Sequence, residues 1–97
     1  MTHEQIIADF AKYVRACSGM FSYWYVGITN DVDRRMFGEH GVNKETDSWI
    51  YRTAQSSLAA RQVEQYFINS GMNGGSGGGD NTAKIVYAYR MSRNTNP

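Results

Sequence analysis

The sequence predicts an α+β fold, with one small three-stranded sheet and about three helices in a single domain spanning residues 1–97. Three observations carry that reading. Segments rich in aromatic and β-branched residues recur at 21–29, 48–53 and 83–91, and each suits a strand. Amphipathic stretches at 2–17, 31–40 and 57–70 separate them. A chain of 97 residues buries one modest core, which matches this number of elements.

Residues 2–17 form the first helix. Thr2 caps it, and Gln5 stands in the reciprocal capping-box position. Ile6, Ile7, Phe10, Tyr13, Val14 and Cys17 fall on one core-facing stripe, so Tyr13 reads as a core residue. Ser18 and Gly19 stop the helix. Along FSYWYVGIT, residues 21–29, period two puts Tyr23, Tyr25 and Gly27 on one face and Trp24, Val26 and Ile28 on the other. Asn30 and Asp31 supply N-cap chemistry for a helix over 31–40, where Val32, Met36 and His40 repeat every four residues. Residues 41–47 are a polar loop, and SWIYRT, 48–53, is a short alternating strand. Ser56 or Ser57 caps the helix at 57–70. The glycine-rich stretch 71–79 excludes regular structure. AKIVYAYRM, 83–91, is the last strand, and SRNTNP is expected to fray. Trp24 and Trp49 are expected in the core.

Composition narrows the function classes. A single cysteine, Cys17, rules out an internal disulfide framework and fits a reducing cytoplasm. It also leaves no Cys/His cluster at zinc spacing. No apolar run approaches membrane-spanning length, and no signal peptide is expected. The formal net charge of +1 gives no general attraction to nucleic acid, so phosphate contacts need a local arginine cluster. Arg34 and Arg35 form such a pair, to which Arg52 and Arg61 can add in three dimensions. The glycine stretch lacks the lysine and hydroxyl of a P-loop, so nucleotide binding is not expected.

One residue breaks its pattern. On the 57–70 helix, Ala59, Ala60, Val63, Phe67 and Ile68 make an apolar arc, and Glu64 falls inside it. A carboxylate there is costly to bury without a partner. Either it belongs to a structural ion pair or reaches water at the edge of the stripe, or it is a functional carboxylate that binds a metal or a proton.

The motifs Tyr25-Val26-Gly27, Arg35, His40 and Glu64, in that order, resemble the GIY-YIG nuclease family. Tyr25-Val26-Gly27 is similar to the second half of the family's name motif. Arg35, eight residues after Gly27, stands at its helix-arginine position, and His40 lies near its histidine position. Glu64 is similar to the glutamate that holds a single divalent metal. The resemblance covers roughly residues 22–70 and implies a small antiparallel sheet, a DNA substrate and Mg²⁺ or Mn²⁺ as cofactor. It implies that Tyr25 and Arg35 line a cleft, that Glu64 holds the metal, and that His40 relays a proton or binds phosphate. The chemistry is coherent. Phosphodiester hydrolysis needs an activated water and stabilised phosphoryl oxygens, and a guanidinium forks onto two such oxygens.

The family's first motif, GIY, is missing; KYVRACSG stands in its place. Two substitutes for its tyrosine are open. Tyr23 shares a strand face with Tyr25 by period two. Alternatively the strand 83–91 pairs with 21–29 and presents Tyr87 or Tyr89. Asn69, Asn73 and Asn81 are candidates for an asparagine of the family, and Asp80 for a second metal ligand. Two functions follow as expectations. One is a small metal-dependent endonuclease or nickase acting on DNA. The other is a catalytically degenerate module that binds DNA or a protein partner in an accessory or inhibitory role.

Overall fold

The structure, a computed structural model, describes residues 1–17, 19–75 and 81–97. Ser18 and Asp80, with the glycines at 77–79, therefore lie outside the described residues.

Helix α1 (His3–Ala16) begins at the expected capping box. Thr2 Oγ1 accepts from the Gln5 amide at 3.2 Å, and Gln5 Oε1 accepts from the Thr2 amide at 3.0 Å. Its stripe buries Ile6, Phe10 and Val14 completely. A 3₁₀ turn, Phe21–Tyr23, then leads into strand β1 (Trp24–Thr29). The strand therefore starts later than its aromatic composition suggests. The Tyr23 amide is committed to the Met20 carbonyl at 3.1 Å, a turn bond incompatible with the ladder.

The segment read as an ordinary helix over 31–40 is a π-helix, Asp33–Glu39. Asp31 begins it as expected, its carboxylate accepting from the Arg34 amide at 3.1 Å. The wider turn shows where the His40 amide bonds to the Arg35 carbonyl, five residues back, at 2.9 Å. Strand β2 (Trp49–Thr53), helix α2 (Ser57–Asn69) and strand β3 (Ile85–Arg90) follow. Ser56 caps α2 by accepting from the Ala59 amide at 3.0 Å.

The sheet runs β1-β3-β2 and is antiparallel throughout. The last strand in sequence is the middle one in space. Its other two neighbours never pair with each other. Helices α1 and α2 cover one face, where Phe10 stacks on Phe67 at 5.7 Å and Trp24, Val26, Ile28, Val86 and Ala88 complete the main core. Tyr13 belongs to this face. Its ring meets Trp24 edge-on at 5.8 Å, and its hydroxyl accepts from the Trp49 amide at 3.2 Å. The π-helix and the chain's last residues cover the opposite face, over a second cluster of Tyr25, Met36, Val42, Tyr87 and Tyr89. Trp24 is buried as expected, whereas Trp49 is only half-buried, its indole donating to the Lys44 carbonyl at 3.0 Å.

The C-terminal residues are tied down, contrary to the expected fraying. Thr95 is buried, and its hydroxyl accepts from the Ser92 amide at 2.9 Å. The Asn96 amide donates to the His40 carbonyl at 2.8 Å. No helix among the described residues is long and apolar enough to cross a membrane.

Candidate active site

The antiparallel register sets Tyr25 opposite Tyr89 and Gly27 opposite Tyr87. This is the pairing expected if β3 takes the place of a missing strand. Tyr87 and Tyr89, two apart, present both rings to the face beneath the π-helix. Gly27 is what lets Tyr87 lie flat across β1. A Cβ built on Gly27 would come within 2.6 Å of the tyrosine's Cζ.

His40 is the hub. Its Nε2 lies 2.8 Å from the Tyr87 hydroxyl, and its Nδ1 lies 2.6 Å from the Asn96 carbonyl and 3.0 Å from the Tyr89 hydroxyl. A carbonyl only accepts, so Nδ1 carries the proton and donates to Asn96. Neutral Nε2 then accepts from the Tyr87 hydroxyl. The Tyr25 ring packs on the imidazole at 4.7 Å and stacks on Tyr89 at 5.4 Å with the planes 24° apart, closing the cluster from the β1 side. Burial holds His40 below its ordinary pKa, opposed by the Asn96 carbonyl and reinforced by the Arg35 charge. Burial likewise pushes Tyr87 up to about 12, with the neighbouring Arg35 guanidinium pulling the other way. Tyr89 is also raised, by burial first and then by its tyrosine neighbours.

Arg35 and His40 are five residues apart, and the π-helical turn brings both to Tyr87. The Tyr87 hydroxyl is the largest influence on Arg35 and stabilises its charged form, as does Glu39. Glu39 accepts from Arg35 at 2.9 Å and from Arg34 at 3.3 Å, so one carboxylate holds both arginines. Arg35 Nε is nevertheless buried and makes no hydrogen bond among the described residues.

Glu64 lies on α2, half-buried. Its Oε2 is buried and has no hydrogen-bond partner among the described residues. Burial raises its pKa, only partly offset by Arg61. Its charge acts on the Tyr87 hydroxyl, so the carboxylate stands within electrostatic reach of the cluster. Among the described residues no three His, Cys, Asp or Glu side chains converge as a metal-ligand group. A magnesium site needs no such group, because one carboxylate completed by water and substrate phosphate is enough. The orphaned Glu64 oxygen fits that minimal demand.

Of the residues singled out from sequence, Tyr25, Arg35, His40 and Tyr87 meet in one cluster, with Glu64 close by. Tyr23 does not join them. It sits in the 3₁₀ turn, 49% exposed, with its ring against the Arg90 guanidinium at 5.6 Å. The shared-face argument for Tyr23 fails because the strand begins one residue after it. Asn69 is exposed and bonds to Gln65, whereas Asn73 bridges backbone to backbone with the open edge of β1 and donates its side chain to the Ser22 carbonyl at 3.1 Å. Asn81 is exposed. Two participants had no role in the sequence reading. Glu39 was visible as a carboxylate four residues after Arg35. The Asn96 carbonyl was not, since a backbone acceptor carries no side-chain signal.

The fold and cluster define a small α+β protein with a buried tyrosine–histidine–arginine network on one sheet face. Comparisons with protein-family models, with curated proteins and with solved structures give no match.

Proposed function

We propose that the protein is a small metal-dependent endonuclease or nickase that hydrolyses DNA phosphodiester bonds by GIY-YIG-like chemistry. The observation that carries this reading is the Tyr87–His40–Arg35 network assembled by β3 against β1, with Glu64 beside it, whose buried Oε2 has no hydrogen-bond partner among the described residues. Buried charged atoms without partners are uncommon, and each costs roughly 1–3 kcal/mol. Arg35 Nε and Glu64 Oε2 have opposite signs, as a phosphate and its metal ion require.

On this reading Tyr87 takes a proton from the attacking water while passing its own to His40 Nε2. The Asn96 carbonyl keeps the imidazole in the tautomer that can receive it. Arg35 neutralises charge growing on the phosphoryl oxygens. Tyr25 packs on the imidazole and holds its plane. Glu64 would hold Mg²⁺ or Mn²⁺, which when bound supplies a Lewis acid at the scissile phosphate. The half-buried thiol of Cys17 suits a reducing cytoplasm as the place of action.

A second reading, a module that keeps the fold and binds DNA or a protein partner without cutting, draws support from one fact. Tyr87 and Tyr89 are only 1% and 0% exposed, as a purely structural network would be. Supercoiled plasmid with Mg²⁺ or Mn²⁺ separates the two. Nicking by the wild type, lost by at least 100-fold in Tyr87→Phe and Arg35→Ala and abolished in Glu64→Ala, is the expected result. Nicking that survives Glu64→Ala would remove the metal role, and no cleavage by any form would favour the binding module.

A further inference from the structure

The register continues the aromatic face beyond β3. Trp49 lies opposite Tyr89, and Tyr51 lies opposite Tyr87. Two cross-strand rows therefore run over the sheet, one through Tyr25, Tyr89 and Trp49 and the other through Gly27, Tyr87 and Tyr51. The central tyrosines are covered, but the outer end of each row is not. Tyr51 is 39% exposed, and it lies nearly parallel to Trp49, with planes 10° apart and centroids 6.1 Å apart. Trp49 is braced edge-on by Phe37 at 5.0 Å, and Lys44 sits over Phe37 at 4.6 Å. Trp49 is thus braced from the side away from Tyr51, and the pair carries a cation at one end. Lys44 meets Asp33 in an exposed ion pair, a weak contact that a phosphate can replace.

We propose that Tyr51 and Trp49 form a stacking platform for unpaired bases of a DNA strand whose backbone passes Lys44 on one side and Arg35 on the other. The proposal rests on the hydrolytic reading of the neighbouring cluster and names its substrate as single-stranded or locally opened DNA. A base inside a duplex offers only its edges to a protein, whereas an unpaired base offers its whole face. A nearly neutral chain cannot rely on phosphate contacts alone, and stacking supplies the missing affinity. Tyr51 stands across from Tyr87, one strand spacing away, so a base held there brings its own phosphodiester to the cluster.

The test is binding of a labelled 20-mer of thymidine and of a duplex of equal length, in EDTA so that no cleavage intervenes. The expected result is tighter binding of the single strand, accompanied by quenching of Trp49 fluorescence while buried Trp24 stays constant. Tyr51→Ala should weaken single-strand binding roughly 5- to 150-fold, leave duplex binding unchanged, and be rescued by Tyr51→Phe. Circular dichroism checks that Tyr51→Ala folds. The quench in the unmutated protein and the behaviour of Tyr51→Phe decide the matter if it does not. Equal binding of both probes, no binding of either, or no effect of Tyr51→Ala would overturn the platform. Plasmid nicking that is indifferent to Tyr51→Ala would remove the platform and leave the hydrolytic reading. Single-strand binding without cleavage by any form would do the reverse.

Discussion

Burial opposes ionisation of His40 and of Glu64, with opposite consequences for stability as pH changes. Burial lowers the His40 pKa from its ordinary 6.5, so the folded state prefers the neutral ring. That preference stabilises the protein fully above about pH 6.5 and is lost as pH falls through the depressed value, because the unfolded chain then binds the extra proton more readily. Urea unfolding should show stability falling below pH 6.5, with a shallower fall in His40→Gln. An identical slope in the two proteins would refute the neutral buried imidazole. Glu64 works the other way. Its raised pKa means that the folded state disfavours the carboxylate, so this group detracts from stability as pH rises through the folded value. Glu64→Gln keeps the shape and removes the charge, and should stabilise the protein slightly at neutral pH while abolishing metal-dependent nicking. Thermal melts and the plasmid assay on one preparation check both halves.

At the scale of elements, the glycine of β1 and the irregular helix after it make the cluster possible. Gly27→Ala would set a methyl group against the Tyr87 ring, which is fully packed and has nowhere to retreat. The expected cost is about 1–3 kcal/mol, with loss of the Tyr87–His40 hydrogen bond, readable as a changed His40 ring signal in NMR. Much of this was legible from residue order. Period two on β1 and β3 and the 3.6-residue stripes of α1 and α2 gave the right faces, because their apolar residues have one core to meet. The pairing of β3 with β1 was one of two alternatives raised by the missing GIY motif, and the structure has that pairing; the spacing of Tyr87 and Tyr89 said only that they share a face. The π-helix was not legible. Val32, Met36 and His40 repeat every four residues, which fits an α-helix equally well, and only the bond from the His40 amide to Arg35 distinguishes the two. Tyr23 misled for a related reason. Aromatic propensity says that a strand is near but not at which residue its ladder begins.

For the molecule as a whole, the two faces of the sheet do different work. The α1/α2 face supplies the apolar core, and the opposite face holds polar groups that must find each other to be buried at all. The C-terminal residues complete that second face. Asn96 both accepts from the His40 ring and donates to the His40 backbone, and Asn94 lies against Gly41, whose φ of 70° turns the chain just after the histidine. Removing residues 92–97 should leave the α1/α2 core folded but free the imidazole to exchange tautomers. The expected outcome is retained helical circular dichroism, a melting temperature lower by several degrees, and nicking reduced at least tenfold. Nicking at the full rate in the truncated chain would show that the Asn96 carbonyl does not position His40. Sequence gave no hint of this, since SRNTNP is as polar as any disordered end and its contribution is made by backbone atoms.

The central place of β3 also governs the order in which the protein can be made. Strands β1 and β2 touch no strand but β3, and during synthesis both leave the ribosome well before residues 85–90. Until then β1 has only Asn73 on its outer edge, and its inner edge waits for β3. Every strand pairing closes a long loop at once, a topology that folds slowly and in one late step. The tyrosine that completes the cluster arrives on the strand that completes the sheet, so the Tyr87–His40 contact cannot form before β3 is made.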